Sequence, residues 1–429
     1  MSYDIKPLCG INKEIDIPAD KSISHRAVII SSICEARTKI KNFLNCEDTK
    51  ATIDCLKKLG LRIEQKGSEV IVDGAGKFFP KPKNQPLKLN ANESGTTIRI
   101  LSGLLVGQKF SVKFEAAPGL NRRPMTRIVD PLTRMGAKIE GACPPLLISP
   151  VSQELKGIEY ESPIASAQVK SAIILASLFA QGQTKIKEPY QSRDHTERML
   201  ALFKANIKIE ADRTIVCGKT DKLETPGEIF IPSDFSSAAF FIVLGLILKN
   251  SQLLIKKVNI NPTRSGLLKV LKNQMGADIQ IENKKEGYEP VADILVKSSE
   301  LRATNINSSQ IPSMIDEIPI LSVAASFAKG ITTIKGLAEL RVKEADRVES
   351  IQMMLSAAGV KTKPLSRDGI EITGSASLTQ ATFDSFNDHR MAMSSVILGS
   401  LIGGCKINDI KCIDKSFPQF ISLINSLQK

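Results

Sequence analysis

Apolar residues recur along this chain in two interleaved patterns. Some segments are apolar on nearly every side and rich in small residues: SISHRAVIISSIC from Ser22, SGTTIRILSGLLVG from Ser94 and SAQVKSAIILASLFA from Ser166. Three more begin at Ser236 (SSAAFFIVLGLIL), Asp316 (DEIPILSVAASFA) and Asp388 (DHRMAMSSVILGSLIGG). A helix that is apolar all round belongs inside a domain rather than on its surface, and the opening Ser or Asp predicts an N-cap for each. Between them lie helical stretches that end on a residue able to turn with positive φ and then continue as a strand. These are LKKLGLRI at Gly60, LTRMGAKI at Gly136, LFKANIKI at Asn206, LKNQMGADI at Gly276 and LSAAGVKT at Gly359. TKIKNF, FSVKFEA, QLLIKKV and TTIKGL read as strands.

The two marks run in phase at a period of about seventy residues, and self-similarity of this kind outranks any local propensity. Six units, each with a buried helix, an outer helix and strands, divide into two groups of three. Cuts near Ala19 and Ser233 leave two blocks of almost equal length, 20–233 and 1–19 plus 234–429. Six buried helices that all begin on a polar residue imply N-termini converging on a cleft, where backbone N–H groups and helix dipoles attract anions.

Length and composition agree with that division. A chain of 429 residues exceeds what one core usually supports, and 42% hydrophobic with 24% charged residues describes a globular protein. The longest apolar run, Ala238–Leu248, is about half of what a bilayer requires, and the start carries no apolar signal core, so a soluble cytoplasmic protein is expected. The eight cysteines form no C-x-x-C pair and the three histidines stand in separate regions, so neither a disulfide framework nor a metal site is expected. The net charge of +13 calls for an anionic partner. With aromatics at 5% and the basic residues dispersed, base-stacking surfaces are poorly supplied, and small anions fit better than nucleic acid.

Polar clusters sit at matching phases of the repeat. Lys21, Ser22 and Arg26 in DKSISHR offer two cations and a hydroxyl at one helix entrance. Gly95 in NESGTTIR lets a ligand approach the backbone, and Arg122-Arg123 precede a proline-started helix. Ser166 and Gln168 stand at the mouth of the third buried helix, and SRDHTER, with Arg193 and His195, has the form of a capping box on Asp194 and Glu197. Asp316-Glu317 open the fifth buried helix. RVKEADR, from Arg341 to Arg347, is compatible with a solvated helix laced by i,i+4 pairs. Asn387-Asp388-His389-Arg390 and Asp414-Lys415-Ser416-Phe417-Pro418 complete the set.

With these motifs in this order (DKSISHRA, ESGTTIR, LNRRPM, SAQVKSA, SRDHTERM, IDEIP, LRVKEADR, NDHRMAM, KSFPQF), essentially the whole chain resembles the 5-enolpyruvylshikimate-3-phosphate synthase family. The resemblance implies an α/β fold of two similar domains, each of three βαβαββ-type repeats arranged as an inside-out α/β barrel (the enolpyruvyl transferase fold), with the active site in the cleft between them. It implies transfer of the enolpyruvyl group of phosphoenolpyruvate to the 5-hydroxyl of shikimate 3-phosphate, with release of phosphate and without cofactor or metal. By resemblance, Lys21, Ser22, Arg26, Ser166, Gln168, Arg193, Asp316 and Lys343 would hold shikimate 3-phosphate. Lys21, Gly95, Arg123, Gln168, Arg347, Arg390 and Lys415 would hold phosphoenolpyruvate. Asp316 would accept the proton of the hydroxyl, with Glu344 and Lys21 on the proton-donor side. A cytoplasmic monomer with no membrane or nucleic-acid partner is the implied state.

Two residues depart from the family pattern. Glu93 stands where Asn is usual, and Ala167 replaces a Ser found in other branches. The rival enzyme of the same fold, the enolpyruvyl transferase acting on UDP-N-acetylglucosamine, carries a reactive Cys in the region occupied here by AAPGLNRRPM, which has none. Cys143 lies further on without a cationic neighbour. A nucleic-acid-binding module is the rival from another class, and a catalytically dead relative is disfavoured by the presence of Lys21, Arg123, Asp316, Glu344, Arg347 and Arg390.

Overall fold

The computed structural model describes residues 2–366, 368–374 and 377–428. The chain forms two compact units, Met1–Pro18 with Pro232–Lys429, and Ala19–Ile231. In the Ala19–Ile231 unit three four-stranded sheets share one plan. The strand Arg37–Lys41 pairs in parallel with Glu228–Phe230 and antiparallel with Glu69–Asp73, which in turn pairs with Arg62–Lys66. The sheets built on Val112–Glu115 and Gln183–Lys187 repeat this order. The first repeat takes its parallel strand from the far end of the unit, which closes the set.

The other unit carries two such sheets and a third of three strands, Ser2–Ile5, Cys405–Asn408 and Thr382–Asp384. Its N-terminal strand Asn12–Ile15 pairs in parallel with Gln252–Asn259. Residues 2–15 therefore complete sheets whose other strands lie beyond residue 250.

The six apolar segments are buried helices, Lys21–Ser32, Gly95–Leu105, Ala167–Ser177, Phe235–Ile247, Ile318–Ser326 and His389–Leu401. Small residues let them pack closely. Gly103 is so near the third helix that a Cβ there would fall 2.1 Å from the carbonyl oxygen of Ala172. No larger residue could keep that approach.

The predicted caps at Ser94, Ser166 and Asp388 are observed. Three others differ. Asp20 rather than Ser22 caps the first helix, accepting from the Ile23 N–H at 2.9 Å, and Asp234 rather than Ser236 caps the fourth. Where Asp and Ser stand two apart, the charged acceptor gains more at the positive end of the dipole. The fifth helix starts at Ile318, which leaves Asp316 in the preceding turn.

Among the outer segments, Gly60, Gly136, Gly276 and Gly359 have positive φ, but in the third the left-handed residue is Lys204, with φ 60°, not Asn206. The expected capping box at Asp194 is absent: its carboxylate takes the Arg198 Nε at 2.8 Å, and Glu197 turns inward to Lys170. RVKEADR is not a helix. A short 3-10 turn spans Ala338–Val342 and the helix proper begins at Arg347.

Candidate active site: polar clusters at helix N-termini

In the Ala19–Ile231 unit the polar groups gather at the entrances of its three buried helices. Lys21, the first residue of the first helix, reaches Asp48 Oδ2 at 2.7 Å. Arg26, one turn on, is 3% exposed. Its Nε donates to Thr196 Oγ1 at 2.6 Å, one terminal nitrogen to Ser171 Oγ at 2.8 Å and the other to the Ser22 carbonyl at 3.0 Å. Arg26 thus fastens the first helix to the third repeat.

Gln168 links the next two entrances. Its Oε1 accepts from Arg99 at 2.8 Å while its Nε2 donates to Thr96 Oγ1 at 3.0 Å. Ser166 caps its own helix through the Val169 N–H. A Cβ on Gly95 would stand 2.8 Å from an Arg99 nitrogen and 3.3 Å from an Arg123 nitrogen, so the bare glycine keeps the space before two guanidinium groups open. Glu93 accepts the Gly119 N–H at 3.1 Å. That bond braces the turn Pro118–Asn121, which delivers Arg122 and Arg123. Arg123 is half-buried, whereas Arg122 is exposed. Arg193 is half-buried on the loop before the helix His195–Leu202, and His195 is fully buried at its first position.

In the other unit the polar groups form an ion cluster around Arg347, which is 1% exposed. Its Nε donates to Asp388 Oδ2 at 2.7 Å and its terminal nitrogens to Glu344 at 2.8 Å and Asp316 at 3.2 Å. Burial opposes that charge, but Asp388, Glu344 and Asp316 more than offset it and hold the guanidinium firmly protonated. Arg390 lies 3.4 Å from the other Asp316 oxygen. Asp316 thus sits between two guanidiniums.

Behind it, Glu317 is buried and accepts a short hydrogen bond from Ser236, which is held in turn by Arg264 at 3.1 Å. Lys415 reaches the Asn387 side chain at 3.3 Å. It is placed by Phe417 and Phe420, which pack on Phe241 at ring separations of 6.1 and 5.7 Å. Lys343 is half-buried in the turn between the 3-10 segment and the helix Arg347–Ala357.

Asp48 and Thr196 were not separable from surrounding polar residues in the sequence, and Asp388 and Ser236 were legible only as helix caps. Their roles depend on partners 27 to 170 positions away. Among the described residues no group of three or more His, Cys, Asp or Glu is arranged to hold a metal ion.

The repeated βαβ units are those of the enolpyruvyl transferase fold. The enolpyruvyl transferase NikO from Streptomyces tendae has this fold, with a TM-score of 0.77 at 15% identity over 99% of this chain and 96% of its own. The chain belongs to the EPSP synthase (3-phosphoshikimate 1-carboxyvinyltransferase) family, whose model matches residues 5–424. A 3-phosphoshikimate 1-carboxyvinyltransferase of Petrotoga mobilis is 46% identical over the full length of both chains, and one of Thermoanaerobacter is 45% identical over the same span. The solved EPSP synthase of Acinetobacter baumannii superposes with a TM-score of 0.87 at 40% identity, covering 99% of this chain and 98% of that one.

Proposed function

We propose that the chain transfers the enolpyruvyl group of phosphoenolpyruvate to the 5-hydroxyl of shikimate 3-phosphate. The observation that carries the reading is Asp316, a carboxylate held between the guanidiniums of Arg347 and Arg390 on a turn before a buried helix. Two anionic substrates cannot share a site of low dielectric without preplaced cations. Arg123, Arg347, Arg390 and Lys415, with the backbone at Gly95, take the phosphate and carboxylate of phosphoenolpyruvate. Lys21, Ser22, Arg26, Ser166, Gln168 and Arg193 take shikimate 3-phosphate, with Lys343 and Asp316 at its 5-hydroxyl. Lys21 and Gln168 are common to both substrates.

Asp316 accepts the hydroxyl proton as the oxygen attacks the enol carbon, and Glu344 with Lys21 delivers a proton to the methylene carbon. Loss of that proton, with cleavage of the carbon–oxygen bond to phosphate, restores the double bond, so atoms and charge balance without oxidant or metal. Ala167 leaves its helix entrance one hydroxyl poorer, and Glu93 serves the Gly119 turn. The enzyme acts as a cytoplasmic monomer in the shikimate pathway to chorismate and the aromatic amino acids, with no membrane or nucleic-acid partner. No helix among the described residues is long and apolar enough to cross a membrane.

Phosphate release from phosphoenolpyruvate, measured with shikimate 3-phosphate, with UDP-N-acetylglucosamine and with neither, tests this. Release should require shikimate 3-phosphate. Release supported by the nucleotide sugar instead would overturn the reading.

A further inference from the structure

We propose that Lys170, Glu188 and Glu197 form a positioning device that fixes the loop bearing Arg193 against the entrance of the third buried helix, and so sets the spacing of the shikimate 3-phosphate ligands. The inference rests on the function proposed above. The three side chains are 2%, 6% and 3% exposed, and the Lys170 ammonium lies 3.0 Å from Glu188 and 2.8 Å from Glu197. Glu188 spends its remaining lone pairs on both sides of the candidate subsite. It accepts the Ser166 N–H at 3.1 Å, the Ser192 N–H at 3.2 Å and the Ser192 hydroxyl at 2.7 Å. Lys170 adds a bond to the Ser192 carbonyl at 3.4 Å. One carboxylate therefore ties the residue before Arg193 to the cap of the helix that carries Gln168.

A pocket of about 340 Å³ adjoins the loop, and its lining is mixed: Tyr190, Ile209 and Ile215 stand beside Lys187, Asp212 and Arg213 and the three clamp residues. Tyr190 and Ile209 are 44% and 49% exposed. The buried polar clamp holds the loop at Ser192, through its N–H, hydroxyl and carbonyl. Burial opposes the charge on Lys170, yet Glu197 and Glu188 outweigh it and keep the ammonium protonated. Two acids against one base is a costly arrangement next to an anion subsite unless it positions something. Here Glu188 spends its charge on the Ser166 and Ser192 N–H groups, the Ser192 hydroxyl and the ammonium, while burial pushes the Glu197 carboxyl up against the pull of Lys170.

Glu188→Ala, Glu188→Gln and Ser192→Ala separate positioning from simple structure. First, isothermal titration of the intact wild-type enzyme with shikimate 3-phosphate establishes that it binds, since failure there would count against the proposed function rather than the clamp. Given binding, Glu188→Ala should raise KM for shikimate 3-phosphate at least tenfold while kcat and KM for phosphoenolpyruvate change less than threefold. Glu188→Gln, which keeps one acceptor oxygen, should recover part of the loss, and Ser192→Ala should fall between the two. A role in stability alone would lower the melting temperature and the active fraction, and would leave KM for shikimate 3-phosphate unmoved. If Glu188→Ala does not fold, the Gln and Ser192→Ala variants decide by the same split. An unchanged KM for shikimate 3-phosphate, or equal rises for both substrates, would overturn the proposal.

Discussion

Asp388 holds Arg347 at 2.7 Å with one carboxylate oxygen, and with the other it caps the helix that carries Arg390, accepting the Arg390 N–H at 2.8 Å. A single buried side chain therefore sets the positions of both guanidiniums proposed to hold phosphoenolpyruvate. The two arginines should nevertheless respond differently to removal. Arg347→Ala strands Asp388, Glu344 and Asp316 without their shared cation, and an uncompensated buried charge costs about 3–5 kcal/mol. That variant should lose most of its melting temperature margin as well as its activity.

Arg390→Ala and Arg123→Ala, by contrast, should remain folded and lose phosphoenolpyruvate affinity by roughly 1.5–3 kcal/mol each, the range for a charge-assisted hydrogen bond. Shikimate 3-phosphate affinity should move far less. Separate titrations of the two substrates check this, and equal weakening of both would remove these arginines from the phosphoenolpyruvate assignment.

Asp316→Asn preserves shape and removes the proton acceptor. Turnover should fall by roughly 10²–10⁴ with small changes in either KM, the usual span for a general base. Because Asp316 also pairs with Arg347 and Arg390, the amide should not destabilise the cluster as Arg347→Ala does. Retention of more than half the wild-type rate would exclude Asp316 from proton transfer.

The thiols distinguish this chain from its nucleotide-sugar counterpart. Burial pushes the Cys34, Cys55 and Cys217 thiols up to about 12, so they carry almost no thiolate at pH 8. Cys9 is exposed and Cys143 half-buried. A native enzyme treated with a disulfide reagent should be modified at Cys9 and Cys143 and keep its activity. Inactivation that substrate prevents would indicate a cysteine in the reaction.

The repeat, and with it the six buried helices, was legible because each copy must bury an apolar helix and end an outer one on a residue with positive φ. Both demands leave local marks, at Ser94 and Ser166 and at Gly60 and Gly136. What escaped was whatever depends on partners distant in sequence. Glu197 looked like the second half of a capping box because Asp194 stands three before it, yet the charge of Lys170, 27 positions away, captures it. Arg341 to Arg347 looked like a helix laced with charges, but Asp346 caps a helix that starts only at Arg347, with the Val348 and Glu349 N–H groups both at 3.1 Å. Glu93 departed from the family pattern without a visible reason until the Gly119 N–H appeared beside it. Local grammar names candidates for a cap, and long-range charge selects among them.

His25 offers a pH test of the first repeat's core. It is fully buried on the helix that begins with Lys21, and its Nδ1 lies 2.7 Å from Thr52 Oγ1, which is itself 2.7 Å from Thr97 Oγ1. Burial, then the Lys21 and Arg26 charges, hold its pKa well below 6.5, so the folded protein keeps the ring neutral while the unfolded chain protonates it. The sign follows. Stability supplied by the neutral ring is complete above pH 6.5 and declines as the pH falls below that value, because only the unfolded state takes up the proton. The slope attributable to His25 is one proton, or about 1.4 kcal/mol per pH unit. His25→Gln should therefore be less stable than wild type at pH 8 through the loss of the Thr52 contact, yet should lose less on going from pH 6.5 to pH 5. Urea denaturation of both proteins at those three pH values measures the difference. Parallel pH profiles would show that His25 does not contribute this proton.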